Sequence, residues 1–236
     1  MALGFLRSPL DDMAPLAAEV MRMGGLAESQ VADAVDAVAR RDVPLAQAVI
    51  ARDAKVDALQ RDIDHRAVQM VASRRLGARD LRRPLTAMRI ASELERTGDL
   101  ARSIARRGLQ LADADPIQEM TRALDRMGKL VGSRLRTVLD AYAGSDLPMA
   151  TRVWRTDDEV DEHYNALFVQ LVGGMTRDGR TIPTCAHMLS MAKNLERIGD
   201  HATNIAEHVH YELTGAAPEG ERPHFSAARD AQGASR

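Results

Sequence analysis

The chain has very few aromatic residues and a single cysteine. Phenylalanine, tryptophan and tyrosine make up 3% of its 236 residues. The core must therefore be built from slim aliphatic side chains, which suits closely packed helices better than sheets. Cys185 has no second cysteine with which to form an intramolecular disulfide, and we interpret it as a small buried hydrophobic residue. The composition predicts an all-α protein from a reducing compartment.

The sequence also lacks the charge and hydropathy patterns of several protein classes. Its formal net charge is -2, and no block of Lys and Arg is interleaved with aromatic residues, which argues against nucleic acid as a partner. No stretch approaches the roughly 20 apolar residues that span a bilayer, and residues 1–10 do not resemble a signal peptide. We therefore expect a cytoplasmic protein without direct membrane insertion.

Motifs typical of enzymes are missing as well. The sequence contains no Gly-rich phosphate loop, no nucleophile elbow, no His-Glu-x-x-His and no Cys-pair zinc motif. A di-iron bundle takes a Glu-x-x-His motif from each of two helices, whereas this sequence has one on a predicted helix, Glu207-x-x-His210, and Asp62-x-x-His65 is its only Asp-x-x-His. Catalysis has no candidate nucleophile, so we expect no enzymatic activity.

Apolar periodicity predicts six helices, with a break near the middle of the chain. Residues 113–116 (Asp-Ala-Asp-Pro) carry helix-start signals and form the predicted linker. The Gly24-Gly25 pair is interpreted as a soft point in the first helix. We predict two tandem three-helix bundles, residues 1–112 and 113–215, and a disordered tail at 216–236. The predicted helices cover residues 15–40, 42–75, 80–109, 117–142, 147–174 and 183–213.

One acidic motif occurs on the third helix of each half. The sequence LERTGD at residues 94–99 returns as LERIGD at residues 195–200. The pairs Glu95/Asp99 and Glu196/Asp200 each place two carboxylates four residues apart, on one face of a helix. Like charges at this spacing repel each other. Their repetition among small apolar residues indicates that a cation lies between them.

The second copy of the motif continues into a longer polar stripe. Asn204 and Glu207 follow Asp200 on the same helical face, whereas the first copy has Ser103 and Arg106 at the equivalent positions. Hard cations prefer several oxygen ligands, which carboxylates from facing helices and an amide oxygen can supply. We therefore predict a weaker first site. The second helix of each half adds an acidic pair: Asp53 and Asp57, and Asp157 and Asp161.

A simpler explanation of the acidic pairs stays open. Glu95 and Asp99 can lie on a solvated face beside neighbouring arginines, where each ion pair contributes only about 0.3 kcal/mol. The recurrence in both halves favours a cation site instead. His201, His208 and His210 have no equivalents in the first copy, and we interpret them as exposed residues or local helix caps.

The motif segments, residues 91–101 and 194–207, resemble the two signature segments of the PhoU family, the phosphate-transport accessory and regulatory proteins of bacteria. Further similar stretches lie at 40–46, 56–59, 79–82 and 211–215, so the resemblance covers about residues 5–215. It implies two pseudo-symmetric three-helix bundles, a homodimer and bound Fe, Zn, Mn or Mg. The ligands that it implies are Glu95, Asp99, Glu196 and Asp200, with Asp57 and Asp161 on the facing helices.

The resemblance also implies a function through protein partners. Members of the family connect the ATPase subunit of the phosphate ABC transporter to a phosphate-sensing histidine kinase, and they repress the phosphate-starvation response when phosphate is plentiful. Two other interpretations remain: a carboxylate-bridged di-metal enzyme, and a plain helical scaffold with solvated acidic stripes. The missing Glu-x-x-His pair weighs against the enzyme.

Overall fold

A computed structural model describes residues 9–73, 77–114 and 117–220. These residues form helices and contain no strand, which confirms the all-α prediction of two tandem, pseudo-symmetric three-helix bundles. Within those ranges no helix combines the length and apolar character that crossing a bilayer requires. The helices are α1 (Pro9–Arg40), α2 (Val43–Ser73), α3 (Ala78–Gln110), α4 (Gln118–Gly144), α5 (Leu147–Arg155), α6 (Asp158–Arg177) and α7 (Ile182–Thr214).

The predicted fifth helix is divided into α5 and α6, and its prediction as one continuous helix is wrong. Together α5 and α6 occupy the place that the unbroken α2 has in the first half. At the break, the Arg134 guanidinium donates to the carbonyl oxygens of Val153, at 2.7 Å, and Thr156. A side chain that takes carbonyl oxygens from the helical ladder bends or breaks a helix. Gln30, at the position equivalent to Arg134, reaches only the Val49 carbonyl oxygen, at 3.5 Å.

Two glycines allow α1 and α4 to approach each other closely. A Cβ atom added to Gly24 would lie 2.7 Å from Leu139 Cδ1, and one added to Gly128 would lie 2.7 Å from Val35 Cγ2. The two contacts are reciprocal, because Gly24 and Val35 of α1 correspond to Gly128 and Leu139 of α4. Gly24 is therefore a packing residue within a continuous α1, and its interpretation as part of a soft point is wrong.

The two apolar cores are each shared by both bundles. The bundles therefore lie side by side and do not bury separate cores. Cys185 is fully buried, as predicted. One core includes Val20, Ile63, Ile90, Val138, Trp154 and Ile205, and the other includes Val31, Val49, Ile104, Met127, Leu171 and Leu195.

Equivalent turns begin the second helical segment of each half. Asp42 Oδ1 accepts a hydrogen bond from the Leu45 N–H at 2.9 Å, and Asp146 Oδ1 accepts one from the Met149 N–H at 2.8 Å. These bonds satisfy free N–H groups at the helix starts. The boundary at 112/113 stays a prediction, and linker residues 115 and 116 lie outside the described residues. Of the predicted tail, 216–220 are irregular after Gly215, and 221–236 lie outside the described residues.

Candidate functional site

The first acidic face consists of Asp57 on α2 and Glu95 and Asp99 on α3. Burial raises the pKa of Glu95, and the charges of Asp99 and Asp57 raise it further. Burial and the charge of Asp57 likewise raise the pKa of Asp99. The structure therefore brings the three predicted carboxylates of this half close enough for each ionised group to disfavour ionisation of its neighbours.

The second acidic face consists of Asp161 on α6 and Glu196 and Asp200 on α7. Burial raises the pKa of Glu196, the hydrogen bond from Lys193 opposes this, and the charges of Asp200 and Asp161 raise it again. Lys193 Nζ lies 2.6 Å from Glu196 Oε1. The other carboxylate oxygen, Glu196 Oε2, is buried and has no hydrogen-bond partner. This face therefore retains an unused anionic acceptor.

Close helix crossings position both faces. A Cβ atom on Gly199 would lie 3.1 Å from Val160 Cγ1, and one on Gly98 would lie 3.5 Å from Val56 Cγ1. Each glycine thus lets the motif helix approach the acidic helix that faces it. In LERTGD and LERIGD, the Glu lies three residues before this glycine and the Asp directly follows it.

The acidic faces are not preformed metal cages. In the part of the chain that the structure describes, no three His, Cys, Asp or Glu side chains come close enough to hold a metal ion between them. Zinc and iron sites usually take at least three protein ligands, whereas Mg²⁺ keeps several of its waters and binds through one or two carboxylates. The acidic faces therefore fit a hydrated hard cation better than a directly caged zinc or iron ion.

Two residues of the predicted polar stripe contact groups outside the acidic faces. Asn204 Nδ2 donates to Glu93 Oε2 at 3.2 Å, and Glu207 Oε1 accepts from Trp154 Nε1 at 3.0 Å. Ser103, at the position equivalent to Asn204, accepts from Asn194 Nδ2 at 3.1 Å. The structure thus places Asn204 at the contact between α3 and α7, and its role as a metal ligand stays a prediction.

Glu93 is a central polar residue that the sequence analysis missed. It is 8% exposed, and its Oε2 lies 2.6 Å from Nδ1 of His201, which is also 8% exposed. His208 Nε2 lies 3.9 Å from Glu93 Oε1. Although burial raises the pKa of Glu93, hydrogen bonds from His201, His208 and Asn204 lower it more, so this pKa lies well below its ordinary value. Glu93 therefore links α3 to α7 as a carboxylate.

The interpretation of the histidines is corrected in part. His201 and His208 are neither exposed residues nor helix caps, because both face Glu93 across the contact between the bundles. The Nδ1 atom of His210 lies 3.0 Å from the Ala216 carbonyl oxygen, beyond the end of α7, and its interpretation as an exposed residue or helix cap stays a prediction.

Glu212, near the end of α7, is a largely buried carboxylate. We predict that it makes the stability of the protein depend on pH. Burial raises its pKa to about 7, although Arg83 and Arg82 oppose the shift. The folded state disfavours ionisation, so this residue lowers stability progressively as pH rises from about 4.5 to about 7. We expect the free energy of unfolding of E212Q to exceed that of the wild type by about 3 kcal/mol at pH 8 and by less than about 0.5 kcal/mol at pH 4.5. Urea denaturation at both pH values measures this, and an equal effect at both would contradict it.

Comparison with known proteins places these features in one family. The PhoU domain model matches residues 20–108 and 124–209. A phosphate-specific transport system accessory protein PhoU homolog of Caulobacter vibrioides (strain NA1000 / CB15N) is 55% identical over 213 residues, which cover 90% of this chain and 93% of that protein. The homolog from Rhizobium meliloti (strain 1021) is 42% identical and covers 90% of each chain.

Solved structures agree with the sequence matches. The crystal structure of PhoU from Pseudomonas aeruginosa has a TM-score of 0.85 at 34% identity and covers 89% of this chain and all 100% of that one. The phosphate transport system regulatory protein PhoU from Streptococcus pneumoniae has a TM-score of 0.82 at 28% identity, with coverage of 90% and 100%. Similarity in fold therefore extends over the whole length of both solved chains.

Proposed function

Because the chain belongs to the PhoU family of phosphate-transport accessory proteins, we propose that it is a non-enzymatic regulator of phosphate uptake and signalling. It couples the ATPase subunit of a phosphate ABC transporter to a phosphate-sensing histidine kinase and represses the starvation response when phosphate is plentiful. The observation that carries this proposal is the match over 90% of the chain to a relative named as a phosphate-transport accessory protein. We place it in the cytoplasm as a homodimer, peripheral to the inner membrane through its partners.

The contacts within the protein support a role in binding rather than turnover. His201 and Asn204 are both hydrogen-bonded to Glu93 between the bundles, so these groups stabilise the fold. The outer helices expose apolar side chains that suit contact with another protein, including Val68 of α2, 55% exposed, and Val169 of α6, 69% exposed. An adaptor needs such surfaces and needs no reacting group.

We also propose that the second acidic face binds a hydrated divalent cation, Mn²⁺ or Mg²⁺, which is favoured over Fe and Zn. A bound cation interacts with the charges of Glu196, Asp200 and Asp161, whose mutual repulsion contributes to the raised pKa of Glu196. Glu196 Oε2 is the buried acceptor that faces no protein donor. The cation would be held by few direct ligands and by its own water molecules.

The cation proposal predicts a metal-dependent stability. Mn²⁺ at about one hundred times its Kd should raise the free energy of unfolding of the wild type by about 2.7 kcal/mol. In E196Q/D200N we expect this increase to disappear, and we expect the variant in chelator to be at least as stable as the wild type, because two repelling carboxylates are gone. Thermal melting with Mn²⁺ and with chelator measures both. The same Mn²⁺ effect in the variant would contradict the assignment.

A reporter for phosphate-starvation genes tests the regulatory function. Deletion of the gene should raise reporter expression in high phosphate at least several-fold, and the wild-type chain should restore repression. A chain ending at residue 220 should also restore it, because residues 221–236 have no core-forming periodicity. A reporter that stays repressed in the deletion strain would overturn the proposal. Pull-down with the transporter ATPase subunit at high phosphate tests the partner directly.

A further inference from the structure

Each half of the protein contains one buried aspartate, on the helical turn before the acidic face. Asp53 is 5% exposed and Asp157 is 4% exposed. They precede Asp57 and Asp161 by four residues, at equivalent positions in the two halves. A buried carboxylate is strongly destabilising unless it is paired and hydrogen-bonded. The partners that the two aspartates use are therefore informative.

In the first half, the cation beside the buried aspartate comes from α3. Arg102 donates to Asp53 Oδ2, and its Nη2 also lies 2.5 Å from Asp99 Oδ1. The residue that approaches from α1 is neutral: a Cβ atom on Gly98 would lie 3.1 Å from Gln30 Oε1 and 3.8 Å from Asp53 Oδ1. One guanidinium thus joins the buried aspartate to a carboxylate of the first acidic face.

In the second half, the arginine and the neutral polar residue beside the buried aspartate come from the opposite helices. The position equivalent to Arg102, three residues after the motif aspartate, is Thr203, which is fully buried and donates to Asp157 Oδ1 at 2.6 Å. The position equivalent to Gln30, six residues after the equivalent glycine, is Arg134 of α4. Arg134 lies 3.7 Å from Asp157 and also donates to backbone carbonyl oxygens at the break between α5 and α6. Each half therefore has one arginine for its buried aspartate, supplied by a different helix.

We infer that this exchange decides which acidic face binds a divalent cation. Arg102 acts as a built-in counter-cation at the first face, so that no metal ion binds there. Arg134 lies on α4 instead, which leaves the second face available to a metal ion. The inference rests on the proposed cation binding and names the residue that restricts it to one half. The sequence alone attributes the weaker first site to Ser103 and Arg106, whereas the structure places Arg102 on Asp99.

The energetics of the two cations support this inference. Arg102 is 28% exposed and holds two carboxylates at once, one of them buried, so displacing it would leave Asp53 without its charged partner. Lys193 of the second face is 50% exposed and contacts Glu196 through a single ammonium group. Lys193 also lies 5.3 Å from the centre of the Tyr164 ring, but no buried carboxylate of the Asp53 kind depends on it, so its displacement costs less than that of Arg102. A divalent cation therefore displaces Lys193 far more readily than Arg102.

The test is the number of Mn²⁺ ions bound per chain, measured by equilibrium dialysis of the full chain with Mn²⁺ as the only added ligand. We expect one ion in the wild type and one more in Q30R/R102T, which grafts the second-half arrangement onto the first half and keeps a cation beside Asp53. R102T, the single variant, should also bind one more. R136T removes an exposed arginine outside both acidic faces and should bind the same number as the wild type. An unchanged number in folded Q30R/R102T and R102T overturns the inference.

A second measurement does not depend on how well those variants fold. E95Q/D99N alters the first acidic face of the otherwise wild-type chain, and it should leave Mn²⁺ binding unchanged. Loss of an ion in this variant overturns the inference. The failure of the underlying proposal looks different: if the wild type binds no Mn²⁺ and Q30R/R102T binds one, the second face takes no cation but Arg102 still closes the first.

Discussion

Replacing Gly24 with leucine should lower the free energy of unfolding by about 3 kcal/mol. Even the Cβ atom of the new side chain would lie 2.7 Å from Leu139 Cδ1 and 2.8 Å from Leu139 Cδ2. Leu139 is 3% exposed and belongs to a core that both bundles share, so it has little room to move away. The larger side chain would therefore separate α1 from α4 and weaken both bundles at once. Urea denaturation followed by circular dichroism measures the loss.

The next residue provides a matched control. A Cβ atom on Gly25 would meet nothing within 4 Å, so G25L should be neutral or stabilise the protein by about 0.5 to 1 kcal/mol through better helix propensity. The two variants change the same residue type in the same helix turn. If both were equally destabilising, the loss would come from the glycine-rich stretch itself, and the close approach of α1 to α4 would not be its cause.

Replacing Arg134 with methionine should lower the free energy of unfolding by about 3 to 5 kcal/mol. Arg134 is 6% exposed, donates to Val153 and Thr156 at the break between α5 and α6, and lies 3.7 Å from the Asp157 carboxylate. Methionine fills much of the same volume but leaves two backbone carbonyl oxygens without this donor and a buried carboxylate without its arginine. We expect amide hydrogen exchange to increase first around residues 153–160.

Arg136, on the same helix, is the control for charge. It pairs with Glu28 and is 68% exposed, so R136M should change the free energy of unfolding by no more than about 1 kcal/mol. Both variants remove one arginine and add the same side chain. If R134M were as mild as R136M, the contacts at the break between α5 and α6 would not be important for stability.

The helices and the acidic pairs are the features that the sequence predicts well. Apolar side chains that recur every three or four residues determine the buried side of a helix. The spacing of Glu95 from Asp99 places both carboxylates on one face, and the charge of Asp57 on the facing helix raises the pKa of Glu95. These are local relations, governed by the geometry of a single helix, or relations between the two copies of a repeated motif. A sequence displays both directly.

The residues that join the halves depend on tertiary structure. Glu93 and His201 lie more than a hundred residues apart, and their contact depends on how far α3 and α7 are rotated toward each other. The same holds for Gly24 against Leu139. In a sequence with no structure beside it, Glu93 differs little from any other charged residue of a long helix.

The sequence by itself determined the two halves, their order of helices and the repeated carboxylates, because each follows from spacing along one chain segment. Only the tertiary structure decided which arginine forms an ion pair with which buried aspartate. Arg102 and Arg134 occupy positions that are not equivalent, on different helices, yet each is the arginine that pairs with the buried aspartate of its own half. A residue-by-residue alignment of the halves pairs Gln30 with Arg134 and Arg102 with Thr203, and nothing in it connects these two differences. Side chains from two helices meet at one carboxylate, and that meeting point exists only in the folded bundle.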